Sequence, residues 1–351
     1  MKSNVSLIIF LILTISCQGS DKKESAGDQK VKKTDSSDKI SKKSDASKKV
    51  DSIPVVDNKK TTVKDHGIPK LAKRKTTIKN KGKAPFQKLR YKFTKDYESD
   101  FGMTISSKTK IQAGGQEINH GSVPDMKISM HLRAKEIKPG PILSVEYTTT
   151  SFVMLPSPGI TAAQLESGNN ALNILKNVKL YSEIDNIGQT LSLKLDIPAT
   201  IPPHQRNIME NMQAQFENFQ VPFPSEAVGE GAEWVSTMQT FSSHILVDNT
   251  LYFKLVKLDK DGVTLEVKYE QRAASQEYPS NMLPPGTTMT LNKLEGSGKG
   301  TIKIKFNDIA ADSKVHITVK TENTVSNKSG KSEKMNMNNE ILVVTHGKKL
   351  K

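Results

Sequence analysis

The chain has very little cysteine and few aromatic residues. Cys17 is the only cysteine among 351 residues, and Phe, Tyr and Trp together make up 5%. A single cysteine forms no disulfide within the chain and supports no cysteine-based zinc cluster. Long apolar runs are also missing. A membrane-spanning helix needs about 20 apolar residues in succession, and the sequence has no run of that length. The folded part must therefore be stabilised by an apolar core without disulfides.

The N-terminus has the features of a secretion signal. Lys2 supplies a positive charge, and the apolar segment VSLIIFLIL follows at 5–13. A short apolar segment of this kind is typical of a signal peptide that is removed from the mature protein. We predict a signal peptide over residues 1–16.

The residues around Cys17 resemble the lipobox of bacterial lipoproteins. In that family the chain is cut directly before the cysteine, and the thiol receives a diacylglycerol. Ser16 fits the pattern, whereas Thr14 stands where the family prefers Leu. The resemblance implies a lipid anchor at Cys17, with fatty acids such as palmitate. The alternative is an ordinary signal peptide that is cut nearby, with an incidental Cys17.

The residue after the predicted anchor bears on localisation. In enteric bacteria an Asp at this position retains a lipoprotein in the inner membrane, and here the residue is Gln18. We therefore expect a lipoprotein of the bacterial cell envelope, anchored in the outer membrane. The sequence leaves open whether it faces the periplasm or the cell surface.

A basic, polar segment follows the anchor. Residues 18–85 contain no Phe, Tyr or Trp, and they carry 20 Lys and Arg against 9 Asp and Glu. Such a composition buries too little apolar surface to offset the entropy of ordering. We predict that 17–85 form a lipid anchor with a disordered tether, and that the β-rich domain covers 86–351.

The tether holds most of the net charge of +15. A nucleic-acid-binding domain carries its basic charge on a folded face, so we expect no nucleic-acid partner. The expected partners of the tether are anionic lipids or cell-wall polymers. The alternative is a solvated spacer.

The pattern of residues 86–351 alternates with a period of two. In VTLEVKYE (263–270) the apolar residues occupy every second position, which is typical of an antiparallel strand with one buried face. The same alternation occurs in LRYKF (89–93), at 128–132, at 191–197, in IKIKF (302–306) and at 315–319. We predict a mainly β fold of about twelve strands in one or more large, curved antiparallel sheets.

The body also shows signs of an internal duplication. A shift of 122 residues places PILSVEY (141–147) on VTLEVKY (263–269), and LYSEIDNIG (180–188) on IKIKFNDIA (302–310). We predict two related β-units, at about 88–200 and 230–345, joined by a helical connection at 201–222. They form either one large sheet or two β-domains.

Two segments have helical patterns. One covers 160–177, with Gly168 in its middle, and the other covers 204–220 after two prolines. In the second helix Ile208, Met212, Phe216 and Phe219 lie on one stripe. This stripe either packs on a sheet face or lines a site for a hydrophobic ligand.

No catalytic motif stands out. GSGKGT (296–301) lacks the spacing of a phosphate-binding loop and is interpreted as a glycine-rich turn. The seven histidines show no close metal-ligand spacing, and no GxSxG motif is present. We therefore predict no catalytic residue, no metal site and no cofactor. Trp234 is predicted to be a buried strand residue that follows a turn.

Two stretches carry a further resemblance. FPSEAVGEGAEW (223–234) and EGSGKGTIKIKFND (295–308) are similar to an uncharacterised bacterial envelope family, domain of unknown function 6263. The resemblance extends over 86–345 and implies a secreted or lipid-anchored β-rich protein. It implies no activity.

These features favour a protein that is not an enzyme. We expect a lipid-anchored envelope protein that binds a hydrophobic ligand in a curved sheet. The alternative is a structural or interaction lipoprotein that contacts the cell wall or a protein partner. The sequence leaves the oligomeric state open.

Overall fold

A computed structural model describes residues 74–118, 123–197, 220–242, 245–278, 283 and 285–350. The predicted signal peptide, Cys17 and the tether up to residue 73 lie outside these ranges. The predicted helix at 204–220 also lies outside them, except for its last residue. Among the described residues, no helix is long and apolar enough to cross a membrane.

The described ranges contain sixteen β-strands and one α-helix, which confirms the predicted mainly β fold. The strands are β1 Lys75–Asn80, β2 Lys83–Gln87, β3 Glu98–Ala113, β4 Gln116–Ile118, β5 Met126–Lys138, β6 Ile142–Met154, β7 Lys179–Asp185, β8 Thr190–Asp196, β9 Val228–Glu230, β10 Glu233–Ser242, β11 Ile245–Asp259, β12 Gly262–Ala273, β13 Gln276–Glu277, β14 Thr288–Lys305, β15 Asp312–Ser326 and β16 Ser332–Lys349.

Fourteen of these strands form a single antiparallel sheet. Its order is β1-β10-β11-β12-β14-β15-β16-β3-β5-β6-β7-β8, with β4 beside β3 and β13 beside β14. The remaining two strands, β2 and β9, pair with each other. The sheet is continuous because the last long strand, β16, pairs with β3 near the start of the body. Of the two predicted arrangements, the chain thus adopts one large sheet.

The strands alternate between a buried and an exposed face, as their sequence pattern predicts. In β12, Val263, Leu265, Val267 and Tyr269 are buried, whereas Glu266 and Lys268 are exposed. The predicted apolar sets in β5, β14 and β15 are buried in the same way. The buried side chains of these strands belong to one hydrophobic cluster, so the sheet has one inner face and one core.

The segment 220–224 bridges parts of the sheet that lie far apart in the strand order. On one side, the Trp234 indole N–H in β10 donates a hydrogen bond to the Pro222 carbonyl, at 3.1 Å. On the other side, the Phe223 amide donates to the Ile187 carbonyl in the turn between β7 and β8, at 2.8 Å. The sheet therefore curls, and this segment spans the gap between its two edge regions.

Strand β14 corrects one sequence interpretation. The glycines at 296, 298 and 300 lie inside a strand that pairs with β12 and β15 on its two sides, and they do not form a turn. A Cβ atom on Gly300 would lie 2.2 Å from the Lys314 carbonyl oxygen, and one on Gly298 would lie 2.7 Å from that of His316. Glycine is required here because β15 approaches the β14 backbone closely.

The N-terminal boundary of the sheet also differs from the prediction. Residues 75–80 form β1 against β10, so the predicted tether, 17–85, extends too far towards the C-terminus. Leu89 and Tyr91 are buried as predicted, but residues 88–94 form no strand. At the other edge, Leu191 in β8 is 47% exposed, although its alternation predicted burial. Edge strands have only one neighbour to cover them, which explains this exposure.

The predicted duplication agrees with part of the strand register. The row Val145–Ser182–Leu193 crosses β6, β7 and β8. Its counterpart, the row through Val267, Gly300 and Val315, crosses β12, β14 and β15. The first and third positions differ by the predicted offset of 122 residues, but Ser182 and Gly300 in the middle differ by only 118, so the register does not keep the predicted match of 180–188 with 302–310. Superposition of the two units stays a prediction.

The helix α1, Ala162–Leu172, confirms the first helical pattern. Thr161 caps its N-terminus through a capping box with Gln164. The helix rests on the end of β6, where the Met154 amide donates to the Asn169 side-chain oxygen at 2.6 Å. A Cβ atom on Gly168 would lie 2.5 Å from the Met154 sulfur, so the glycine within the helix permits this close contact.

Candidate ligand-binding face

The candidate site is the inner face of the curled sheet. The ligand-facing residues predicted from sequence, Ile208, Met212, Phe216 and Phe219, lie outside the described residues, as does the predicted lipid attachment site, Cys17. The structure describes the inner face itself. This face has two chemically different ends.

One end of the inner face is aromatic. Trp234 and Phe253 are cross-strand neighbours whose rings stack with centroids 5.3 Å apart. Phe223 lies 4.9 Å from the ring of Tyr91 and 6.1 Å from that of Phe306. These five residues, hereafter the aromatic end, are all 4% exposed or less. Their own side chains fill this part of the interior.

Polar groups tie the bridging segment 220–224 into the core. Arg74, just before β1, donates from Nη1 to the Gln220 carbonyl at 3.1 Å. The Gln220 side-chain nitrogen donates to the Tyr147 hydroxyl at 3.4 Å, and the Tyr91 hydroxyl donates to the Val221 carbonyl at 3.4 Å. Burial lowers the pKa of Arg74 to about 10, so its guanidinium remains charged at neutral pH. Burial raises the pKa of both tyrosines.

A buried carboxylate closes the turn between β14 and β15. The Tyr97 hydroxyl donates to Asp308 Oδ1 at 2.8 Å, and the Ala310 amide donates to the same oxygen at 2.9 Å. Asp308 is 2% exposed, and burial raises the pKa of its carboxyl group. Because its hydrogen bonds hold a turn and a neighbouring loop, Asp308 has a structural role.

The other end of the inner face is polar. Hereafter the polar end denotes the inward-facing side chains Ser107, Thr109, Thr240, Asn249, Tyr269, Gln271, Thr321, Asn323 and Asn339. Some of them form a network, in which the Tyr269 hydroxyl donates to Asn249 Oδ1 at 2.6 Å. The Asn249 amide in turn donates to the Thr240 hydroxyl at 2.9 Å.

Four side-chain oxygens at the polar end are buried without a hydrogen-bond partner. They belong to two of its carboxamides, Gln271 and Asn339, and to two of its hydroxyls, Ser107 and Thr109. Gln271 is 3% exposed and Asn339 is 1% exposed. Buried polar atoms in folded proteins are almost always paired, so these four atoms call for a hydrogen-bond partner.

The outer face carries a shallow groove. It has a volume of about 310 Å³ and lies across β3, β15 and β16. Its outward-facing lining residues are Lys110, Gln112, Lys320, Glu322, Asn336 and Asn338, and two inward-facing residues, Thr321 and Met337, also border it. The two lysines lie on opposite sides of Asn338, which pairs with both in the sheet. The groove therefore offers two cations and several amides to a partner outside the sheet.

The outer face also holds a histidine between two carboxylates. Nδ1 of His131 lies 2.9 Å from Asp100, and Nε2 lies 3.1 Å from Glu98. The hydrogen bond with Asp100, aided by that with Glu98, raises the pKa of His131. Within the described ranges, no group of His, Cys, Asp and Glu residues has the geometry to hold a metal ion.

The sequence contained a signal for the polar end that the search for motifs missed. After Val263, Leu265, Val267 and Tyr269, the next inward position of β12 is Gln271. In β15, Val315, Ile317 and Val319 are likewise followed by Thr321 and Asn323. An alternation whose buried positions change from apolar to polar part-way along several strands indicates a polar region inside the core.

The comparison with known families identifies part of the sheet. Residues 208–308 match a family of unknown function, DUF6263. This range contains the described strands from β9 to β14 and both stretches that carry the resemblance, 223–234 and 295–308. No curated protein matches the chain. The body thus resembles a DUF6263 domain. Of the two stretches that carry the resemblance, the first ends at Trp234 and the second contains the glycines of β14.

Proposed function

We propose that the chain is a lipid-anchored protein of the bacterial cell envelope that binds a hydrophobic ligand at the inner face of its curled sheet, without catalysis. The observation that carries the proposal is the single sheet whose one inner face encloses one core, bridged at its edges by residues 220–224. A concave apolar wall of this kind is a common setting for ligand binding.

The proposal includes the address of the protein. The lipobox-like sequence supports an anchor at Cys17, and Gln18 supports the outer membrane. The basic tether would contact anionic lipid headgroups or cell-wall polymers, an attraction that salt screens.

The test compares the lipid content of two purified proteins. The full chain should carry host lipid that mass spectrometry detects in a solvent extract, and Phe216→Asp should reduce that lipid several-fold. Both proteins carry Cys17→Ser, which removes the proposed anchor. In a separate labelling experiment, Cys17→Ser should abolish the incorporation of labelled palmitate. The strand signal in circular dichroism should persist in each variant. If the Cys17→Ser protein with Phe216 intact carries no lipid, the proposal of ligand binding is wrong.

A second candidate function is favoured by the groove on the outer face. There, Lys110 and Lys320 flank amide side chains over three neighbouring strands, an arrangement that suits an anionic polymer or a protein partner. In this case Lys110→Ser together with Lys320→Ser should weaken sedimentation with isolated cell wall, whereas Phe216→Asp should have no effect on it.

A further inference from the structure

The polar end contains two buried carboxamides on one row of the sheet. Successive partners on this row are Thr109, Asn339, Val319, Gly296 and Gln271, on β3, β16, β15, β14 and β12. Gly296 and Asn339 are two strands apart, which corresponds to about 10 Å along the sheet. Thr109 lies directly beside Asn339.

Gly296 provides room for the amide of Gln271. A Cβ atom on Gly296 would lie 3.1 Å from Gln271 Oε1 and 3.5 Å from a methyl group of Val319. The amide oxygen of Gln271 therefore extends over β14 towards β15, in the direction of Asn339. Neither this oxygen nor the side-chain oxygen of Asn339 accepts a hydrogen bond from the protein.

These oxygens are costly unless a donor satisfies them. A buried acceptor without a partner destabilises a fold, and leucine would fill a similar volume without that cost. Two such carboxamides, with the unpaired hydroxyls of Ser107 and Thr109 on the neighbouring strand, form a set of acceptors that faces the interior. A ligand with several hydroxyl or amide N–H groups matches this set.

The charges around the row indicate a neutral ligand. From Thr109 to Gln271, the row contains no charged side chain. Arg74 lies three strands beyond Gln271, and it donates to the Gln220 carbonyl and the Met238 sulfur. An ionised carboxylate or phosphate buried beside Gln271 and Asn339 would find no cation in this row, and the burial of an unpaired charge is unfavourable.

We infer that the polar end binds the neutral, hydroxyl- or amide-bearing head group of an amphiphile whose apolar part lies against the apolar inner face. This inference rests on the proposed function and specifies its ligand class. Gln271 and Asn339 accept hydrogen bonds from the head group, and the hydroxyl of Thr109 adds a third contact.

The experiment measures the dissociation constants of three probes for the full chain with Cys17→Ser. Monoolein carries a glycerol head group, oleate carries the same acyl chain with a carboxylate at pH 8, and glycerol is the head group alone. We expect monoolein to bind at least tenfold more tightly than oleate, and glycerol to bind far more weakly than either.

The variants assign this preference to the polar end. Gln271→Leu combined with Asn339→Leu should weaken monoolein binding about tenfold and leave oleate binding unchanged, and Thr109→Val should cause a smaller loss of the same kind. Asn338→Leu, one residue away on the outer face, is the matched control and should bind like the parent protein. Circular dichroism checks that each variant is folded.

The outcomes separate the two proposals. Equal binding of monoolein and oleate, tighter binding of oleate, or unchanged monoolein binding in the double variant overturns the head-group inference and leaves lipid binding in place. If glycerol binds as tightly as monoolein, the ligand needs no apolar chain, and the inference that it is an amphiphile is wrong. If neither lipid binds, the proposed function itself is wrong, and the inference fails with it.

Discussion

Both ends of the inner face consist mainly of buried side chains, but different forces hold them. At the aromatic end, Trp234, Phe253, Phe223, Tyr91 and Phe306 gain stability from the large apolar area that they remove from water. At the polar end, the network of Tyr269, Asn249 and Thr240 replaces hydrogen bonds to water by hydrogen bonds within the protein, which yields much less. Burial alone therefore does not indicate how much a residue stabilises this sheet.

The comparison also separates structural from functional residues. The aromatic end needs no ligand to complete its contacts, because its rings pack together and the indole N–H of Trp234 has an acceptor. The polar end does not, because Gln271 and Asn339 keep unpaired oxygens. A region that costs stability is a better candidate for ligand binding than one that supplies it.

The largest expected effect comes from the aromatic end. Trp234→Ala removes a side chain that is 1% exposed, together with its stacking on Phe253 and its hydrogen bond to Pro222. We expect a loss of about 3–5 kcal/mol in the free energy of unfolding, measured by urea denaturation. Phe86→Ala, at a residue that is 52% exposed, is the control and should change stability little. Similar losses for both variants would contradict the assignment of the core.

A medium effect is expected at the polar end. Tyr269→Phe removes the hydroxyl that donates to Asn249 at 2.6 Å and leaves the ring in place. The loss should be about 1–2 kcal/mol, because a buried acceptor then lacks its donor. Tyr252→Phe is the control, since its hydroxyl reaches Glu270 on the exposed face of the next strand, at 3.2 Å. If Tyr269→Phe cost as much as Trp234→Ala, the two ends would not differ as described.

Local alternation in the sequence predicted the strands but not their order. Val263, Leu265 and Val267 have the same environment in any antiparallel sheet, so their burial follows from period two alone. The pairing of β16 with β3 depends on contacts between residues far apart in sequence, and no local pattern encodes it. This pairing decides that the chain forms one sheet.

The errors of prediction have physical causes. Polar composition suggested that the tether reaches residue 85, but β1 is an edge strand that needs only Ile78 and Thr76 on its inner side, so few apolar residues are sufficient. The glycines of β14 suggested a turn, because glycine is usually unfavourable within strands. In this sheet the close approach of β15 reverses that preference.

The candidate site was only partly accessible from the sequence. The stripe through Ile208 and Phe216 is a helical pattern whose role depends on what it faces. The polar end follows from the phase of the alternation in β12, β15 and β16, but the absence of partners for Gln271 and Asn339 depends on side-chain positions. A side-chain amide at an inward-facing strand position predicts a polar contact, but it does not identify the partner.

The smallest expected effect concerns pH and again distinguishes the two ends. Asp308 lies next to Phe306 of the aromatic end, and burial raises the pKa of its carboxyl group above the value in the unfolded chain. Its stabilising contribution is therefore complete below the unfolded pKa of about 4 and is lost as the pH rises through the folded pKa. No side chain of the polar end titrates in this range.

We expect Asp308→Asn to flatten the decrease in the urea midpoint from pH 4 to 7. The double variant Gln271→Leu, Asn339→Leu should keep the wild-type slope, and so should Asp261→Asn, whose side chain is 75% exposed. An unchanged slope in Asp308→Asn would show that the pH dependence arises elsewhere in the chain.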